Sequence, residues 1–364
     1  MILKNAKLKG KLVNIIINEG KIVEISAAEN SDNASFEGEN SVDLSGKTVI
    51  PGMIDVHTHG CAGDDTMEAE FEKLCDEWGK HGTTTVYPTT MTMDYESIKK
   101  VNDAKTDWPG AQIPGFHMEG PYINESKKGA QNGAFVREAS ENEFAELQRM
   151  KLITIAPEFE KNMEFIKKHA EDIVICVGHT AADYDTTVQA FNNGAMALTH
   201  TFNAMPPFLH RDPGPIGAAL TENAYVHVIT DGLHVHRAAV LMLYKVFGPD
   251  RMTIISDSLR ATGLPDGEYM FGGQPIYVTD GVCRVASGAL AGSTSFLYDC
   301  VRSAHKMGIP FDDAVKMATE TPAKQMGLST KGKIEEGFDA DILVIDDALE
   351  LEKVMIKGEF YYER

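Results

Sequence analysis

Apolar and polar positions follow one rhythm at the two ends of the chain and another between them. Residues 3–8, 12–18 and 21–26 are β-rich, and Asn18-Glu19-Gly20 supplies a turn between the last two. Residues 27–41 are Asn, Ser, Glu and Gly in large part, which predicts a loop. Strand-like runs return at 340–345, 351–357 and 359–362. Two strand-rich ends around a long middle predict a small β-sandwich domain built from both, residues 1–50 plus 330–364. The middle, 51–329, alternates. Strands are predicted at 53–59, 83–90, 113–119, 152–158, 173–179, 196–203, 225–231 and 252–258. Helices are predicted between them at 68–81, 94–105, 138–150, 161–170, 183–193 and 236–247. The clearest helix places Phe71, Leu74, Cys75 and Trp78 at i, i+3, i+4 and i+7. Eight β–α units in series predict an α/β fold, a closed (β/α)8 TIM-like barrel. Residues 205–224, rich in Pro and Gly, read as a working loop. Residues 296–307 and 311–327 read as further helices, and 260–295 as a β-rich excursion with no assigned place.

Composition narrows the function. The chain has 364 residues, 34 Lys plus Arg against 54 Asp plus Glu, and a formal charge of −20. That balance opposes coating a nucleic acid or docking on an anionic membrane. Hydrophobic residues make up 43 %, too many for a disordered chain. No apolar run approaches the roughly 18 residues of a membrane span. The N-terminal residues lack the pattern of a secretory signal. Five widely spaced cysteines without a C-x-x-C pair suit a reducing cytoplasm.

Chemistry-bearing residues gather at the predicted strand ends, where a barrel places its site. They are His57 and His59, His117 and Glu119, His179, His200, Asp231 with His234, and Asp257. A single such histidine is more often a satisfied core residue than a ligand. Together they would repel or protonate unless a cation sat among them. His57 and His59 are two apart and share a strand face, so both can chelate one ion. Glu119, His179 and His200 form a second set of one carboxylate and two imidazoles. Such ligands suit zinc or iron(II), with cobalt or manganese also accepted. Asp257 is a proton acceptor for an attacking water, or else a helix N-cap. Arg211, a lone cation in a Pro- and Gly-rich loop, suits an anion such as phosphate or a solvated surface equally well. Neither a P-loop, a dinucleotide fingerprint nor a G-x-S-x-G elbow occurs.

Residues 51–60, Pro-Gly-Met-Ile-Asp-Val-His-Thr-His-Gly, resemble the opening motif of the amidohydrolase superfamily, and 332–342 resembles its C-terminal return. Within it the chain resembles the N-acetylglucosamine-6-phosphate deacetylase family. The segments that carry this are 115–121, 127–130, 178–180, 199–205, 231–234 and 287–293. The resemblance implies metal-dependent hydrolysis of the acetamide of N-acetyl-D-glucosamine 6-phosphate. It implies Glu119, His179 and His200 around a principal divalent metal, and His57 and His59 with bridging Glu119 around a second. Asp257 would be general base and then acid. Asn203, the Ala204 backbone, Arg211 and His234 would hold the sugar phosphate, with a homodimer completing the phosphate contact. Some relatives place a carbonyl-polarising histidine where this chain has Gln131, an amide that can donate a hydrogen bond but carries no charge. Glu119 stands where other superfamily members carry a carboxylated lysine. The alternatives are the N-acetylgalactosamine 6-phosphate epimer as substrate, a metal-dependent deaminase on the same barrel, or a non-catalytic scaffold.

Overall fold

The structure, a computed structural model, describes residues 1–28 and 40–364. Most of the loop expected at 27–41 therefore lies outside the described residues. Eight parallel strands form the centre: β1 (Met53–Thr58), β2 (Thr83–Thr90), β3 (Phe116–Glu119), β4 (Met150–Ile155), β5 (Val174–Val177), β6 (Ala197–Leu198), β7 (Tyr225–Ile229) and β8 (Met252–Ile255). Each pairs with the next in sequence. The ring closes just past the strand ends, where Thr58 pairs with Ser258 and His59 N donates to Ser258 O at 2.7 Å. All eight lie where the alternation predicts, most of them shorter. Inside, Ile54, Val56, Tyr87, Leu152, Cys176, Ala197, Ile229 and Ile255 form a buried plug. That plug makes the barrel a packed core.

Helices Glu72–Lys80, Tyr95–Asn102, Glu160–His169, Tyr184–Asn192, Arg237–Phe247 and Leu297–Met307 match the predicted segments within a few residues. Three segments differ. In 138–150 a single turn forms, Glu141–Phe144, because pairing of Met150 with Phe116 draws the end of the segment into β4. The 205–224 loop contains a helix, Gly214–Thr221, with Pro213 at its N-cap and Ile216, Ala218 and Ala219 buried. Residues 311–327 divide into Phe311–Met317 and Glu320–Gln325. Pro322 has no N–H to give to residue 318, so one helix cannot run through.

The excursion at 260–295 is a three-stranded antiparallel sheet, Gly267–Phe271, Gln274–Thr279 and Val282–Val285. It packs over the rim through Phe271, Ile276, Val278, Cys283 and Val285 against Met91, Leu259 and Ala261. The chain ends share one eight-stranded sheet. Its central strands are Ile2–Leu8, Thr48–Pro51 and Ile342–Ile345, and Lys21–Ala27 lies at one edge. That edge meets the segment before Ile342: Ile22 N donates to Phe338 O at 2.9 Å, and Lys21 pairs with Asp339. The sheet thus folds over its own core of Leu3, Ile15, Ile22, Val49 and Val344. Among the described residues no helix is long and apolar enough to cross a membrane.

Candidate active site

Five strand ends supply the site. His57 and His59 come from the end of β1, Glu119 ends β3, and His179, His200 and Asp257 follow β5, β6 and β8. His179, His200 and Asp257 take positive φ values of 46°, 27° and 48°. Non-glycine residues adopt that region at a cost of about 1–3 kcal/mol each, sustained only where the surroundings fix them. The surroundings do so here: Asn124 N donates to His179 O at 2.8 Å, and Ser293 N donates to Asp257 O at 2.7 Å.

All six side chains are buried and converge. Glu119 Oε1 lies 3.1 Å from His179 Nε2, 3.0 Å from His200 Nε2 and 3.4 Å from His57 Nε2. Glu119 Oε2 lies 3.2 Å from His59 Nε2. The Nε2 atoms of His57 and His59 are 3.3 Å apart, and those of His179 and His200 3.0 Å apart. Asp257 Oδ1 is 3.4 Å from both His57 and His59.

This arrangement fits a metal. Two ligand atoms each about 2.0–2.2 Å from one ion stand roughly 2.8–3.6 Å apart at octahedral to tetrahedral angles. The observed separations fall in that window for both His57–His59–Glu119 and Glu119–His179–His200. Tautomers agree with it. His179 Nδ1 lies 2.8 Å from Lys127 O and His59 Nδ1 3.0 Å from Thr89 O. A carbonyl only accepts, so each Nδ1 carries the hydrogen and each Nε2 presents its lone pair to the cluster. Lone pairs facing carboxylate oxygens demand a cation between them. Without an ion, a proton on an imidazole has to take that place. Burial pulls His59 down, but the Asp257 and Glu119 carboxylates outweigh it and hold the imidazole up at about 10. Burial pushes Glu119 up, and the surrounding histidines hold it well below the usual carboxylate range. Asp257 is lowered in the same way, its burial outweighed by His57 and His59.

Beneath this cluster, His117 is kept neutral by burial, with Nδ1 3.1 Å from Val56 O and Nε2 2.8 Å from Thr154 Oγ1. It braces the barrel and takes no place among the candidate ligands. Above the cluster opens a cavity of about 400 Å³ lined by His59, Glu119, Gln131, His179, His200, Asn203, Ala204, His234 and Asp257, among others. Asn203 Nδ2 donates to His200 O at 3.1 Å. His234 Nδ1 lies 2.7 Å from Asp231 Oδ2, which fixes the ring and leaves Nε2 for a ligand. Burial raises Asp231, and the His234 contact outweighs it, leaving the carboxyl lowered.

Gln131 is at the site, but its amide faces Glu119. Nε2 donates to Glu119 Oε2 at 2.6 Å, while Oε1 accepts from Thr92 N at 2.7 Å. Arg211 is not brought to the cavity of its own chain; it is exposed on the loop before the helix Gly214–Thr221. Sequence reasoning placed Asp231 and His234 together at the rim but did not assign the hydrogen bond between them. It also missed Phe271, Ala289 and Leu290, which line the cavity from the excursion after β8. The 287–293 segment was noted for its resemblance alone, and Phe271 had no local signal.

Residues 48–360 match the model of the amidohydrolase family, and this chain belongs to that family. Closer relatives share a more particular chemistry. The chain is 32 % identical to an N-acetylglucosamine-6-phosphate deacetylase of Lysinibacillus sphaericus, over 97 % of this chain and 94 % of that one. It is 33 % identical to an N-acetylgalactosamine-6-phosphate deacetylase of Escherichia coli O157:H7, over 85 % and 87 %. The solved structure of the N-acetyl-D-glucosamine-6-phosphate deacetylase of Mycobacterium smegmatis, in complex with N-acetyl-D-glucosamine-6-phosphate, superposes with a TM-score of 0.90 at 30 % identity, covering 99 % of each chain.

Proposed function

We propose that this chain hydrolyses the acetamide of N-acetyl-D-glucosamine 6-phosphate to D-glucosamine 6-phosphate and acetate. One observation carries the reading: His57, His59, Glu119, His179, His200 and Asp257 meet in one buried cluster under a single cavity. Relatives named for this reaction align with nearly the whole chain. Glu119, His179 and His200 would hold a principal metal, and His57 and His59 with Glu119 a second. Zinc or iron(II) suits these ligands, and cobalt or manganese also binds such sets. A divalent cation held there lowers the pKa of water towards roughly 7 and polarises a carbonyl.

The chain's own residues do the rest. Asp257 takes a proton from the attacking water and returns it to the leaving nitrogen, because an unprotonated amide nitrogen barely leaves. Gln131 spends one amide hydrogen on Glu119 and keeps a second for the carbonyl oxygen. Asn203, the Ala204 backbone and His234 hold the sugar. Arg211, with the exposed apolar residues Phe208 and Leu209 nearby in sequence, serves the phosphate in the cavity of a second copy. The working unit is then a homodimer. All five cysteines are free and buried, which supports placement in the cytoplasm.

The test is to strip the purified protein with chelator, reload it with each candidate metal, and measure acetate release alongside elemental content. Metal-loaded protein that releases no acetate from this substrate would end the proposal. The galactosamine epimer is a second reading, favoured by the Escherichia coli relative. Relative kcat/KM on the two 6-phosphates decides between them.

A further inference from the structure

The cavity has two chemically different walls. The polar wall follows β6 and β7 and presents Asn203, Ala204 and His234. The other comes from the excursion after β8 and presents Phe271, Ala289 and Leu290, a phenyl, a methyl and an isobutyl group with no hydrogen bond to offer. Phe271 is buried, and its ring meets the His59 imidazole edge-on, 5.2 Å between centroids at 79°. Gly272 sits against Met91, which directly follows β2. In a closed ring of eight strands, β1 and β2 stand across from β5 and β6. Phe271 therefore faces Asn203 and Ala204 over the metal-ligand cluster.

The apolar wall is built in. Ile276, Val278, Cys283 and Val285 pack its sheet onto Leu259 and Ala261, and Gln274 Nε2 donates to Ala130 O. That last bond ties the turn after Phe271 to the loop that carries Gln131.

In a planar trans N-acyl amide, the acyl tail and the sugar carbon attached to nitrogen lie on opposite sides of the C–N bond. A sugar held at the polar wall, with its carbonyl carbon over the cluster, turns its acyl tail to the apolar wall. Resting on the deacetylase reading above, we infer that Phe271, Ala289 and Leu290 measure the acyl group, admitting the methyl of an acetamide and rejecting longer or hydroxylated tails. Phe271 is the specificity-determining residue of the three, since it alone is locked by both His59 and the packed sheet.

The experiment uses metal-reloaded enzyme with the N-acetyl, N-butyryl and N-glycolyl forms of glucosamine 6-phosphate, following release of the free amine. One methylene in a closed apolar pocket is worth about 10–200-fold in kcat/KM. The wild-type butyryl-to-acetyl ratio is expected below about 1/100, with glycolyl also disfavoured. Phe271→Ala should raise the butyryl-to-acetyl ratio at least ~10-fold. Leu290→Ala, half-buried and outside the packed cluster, should raise it less and guards against a folding defect in the first variant. A wild type that takes butyryl as readily as acetyl overturns the proposal. So does a ratio that moves in neither variant while both stay folded and metal-loaded. If the wild type releases no amine from the acetyl substrate, the deacetylase reading falls and this proposal with it. Acetyl turnover with an unmoved ratio overturns this proposal alone.

Discussion

Asp257 touches both β1 histidines at 3.4 Å from a left-handed backbone position, so its carboxylate is aimed before any substrate arrives. Asp257→Asn keeps the shape and removes the proton carrier. Turnover should fall about 10²–10⁴-fold while substrate still binds, as isothermal titration would register. Near-native turnover in metal-loaded Asp257→Asn would reject the role. Gln131 gives a second prediction at this scale. Its 2.6 Å bond fixes one oxygen of Glu119, and partners of that kind typically contribute 10–100-fold to metal affinity. Gln131→Ala should therefore lose metal to a competing chelator at roughly 10–100-fold lower chelator strength. The histidines, Glu119 and Asp257 were legible in the sequence because strand ends aim their side chains at one rim. The bond from Gln131 to Glu119 was not, because it depends on Thr92 N, which approaches only once β2 and β3 are side by side.

At the scale of elements, the segment that returns from the excursion is held against the end of β8. Gly292 has φ +59°, and a Cβ there would stand 2.8 Å from Asp257 O and 2.9 Å from Leu259 Cδ2. Gly292→Ala should cost about 1–3 kcal/mol and lower activity by displacing the Asp257 backbone. Gly273→Ala is the control, with φ +78° and open space around it, so that it carries the backbone cost without the collision. Equal thermal shifts and equal activities for the two variants would contradict this account. The barrel strands were legible because buried parallel strands are short apolar runs between turn signals. The helix Gly214–Thr221 was not, because its Gly and Pro content reads as loop; its stability comes from burial of Ile216, Ala218 and Ala219. The excursion was visible as β-rich and yet had no place, since only its apolar contacts with Met91 and Leu259 fix it over the rim.

For the whole molecule, one ionic network joins the folded sheet to the barrel. Lys331 reaches Asp339 at 3.0 Å and Asp341 at 2.7 Å, Lys21 pairs with Asp339, and Gln112 Nε2 donates to Asp341 at 3.1 Å. Burial raises Asp339, and the two lysines outweigh it, so its folded pKa lies below its ordinary value. A depressed carboxyl stabilises the fold above its unfolded pKa and ceases to do so as pH falls through the folded value. Lys331→Met should thus cost on the order of 2–3 kcal/mol near neutrality, somewhat under the figure for a fully buried pair. The gap in Tm from wild type should narrow towards pH 3; a constant gap would count against the network. Arg211 offers a test of assembly. If it serves a neighbour's cavity, co-expressing Arg211→Ala with Asp257→Asn should restore about a quarter of the sites, since half the dimers are mixed and each has one intact site. No recovery would place Arg211 outside the shared site. That both chain ends share one sheet was legible from their β-rich composition; that its edge returns to Phe338 and Asp339 was not, since such closure leaves no local pattern. The strand Thr48–Pro51 pairs with Ile342–Ile345, and its partner is synthesised long after it. At roughly 5–20 residues per second, the ribosome needs on the order of 15–60 s to make the about 290 residues between them. Throughout that interval the nascent N-terminal strands wait with an unpaired edge, so translation speed and chaperone capture bear directly on the yield of this protein.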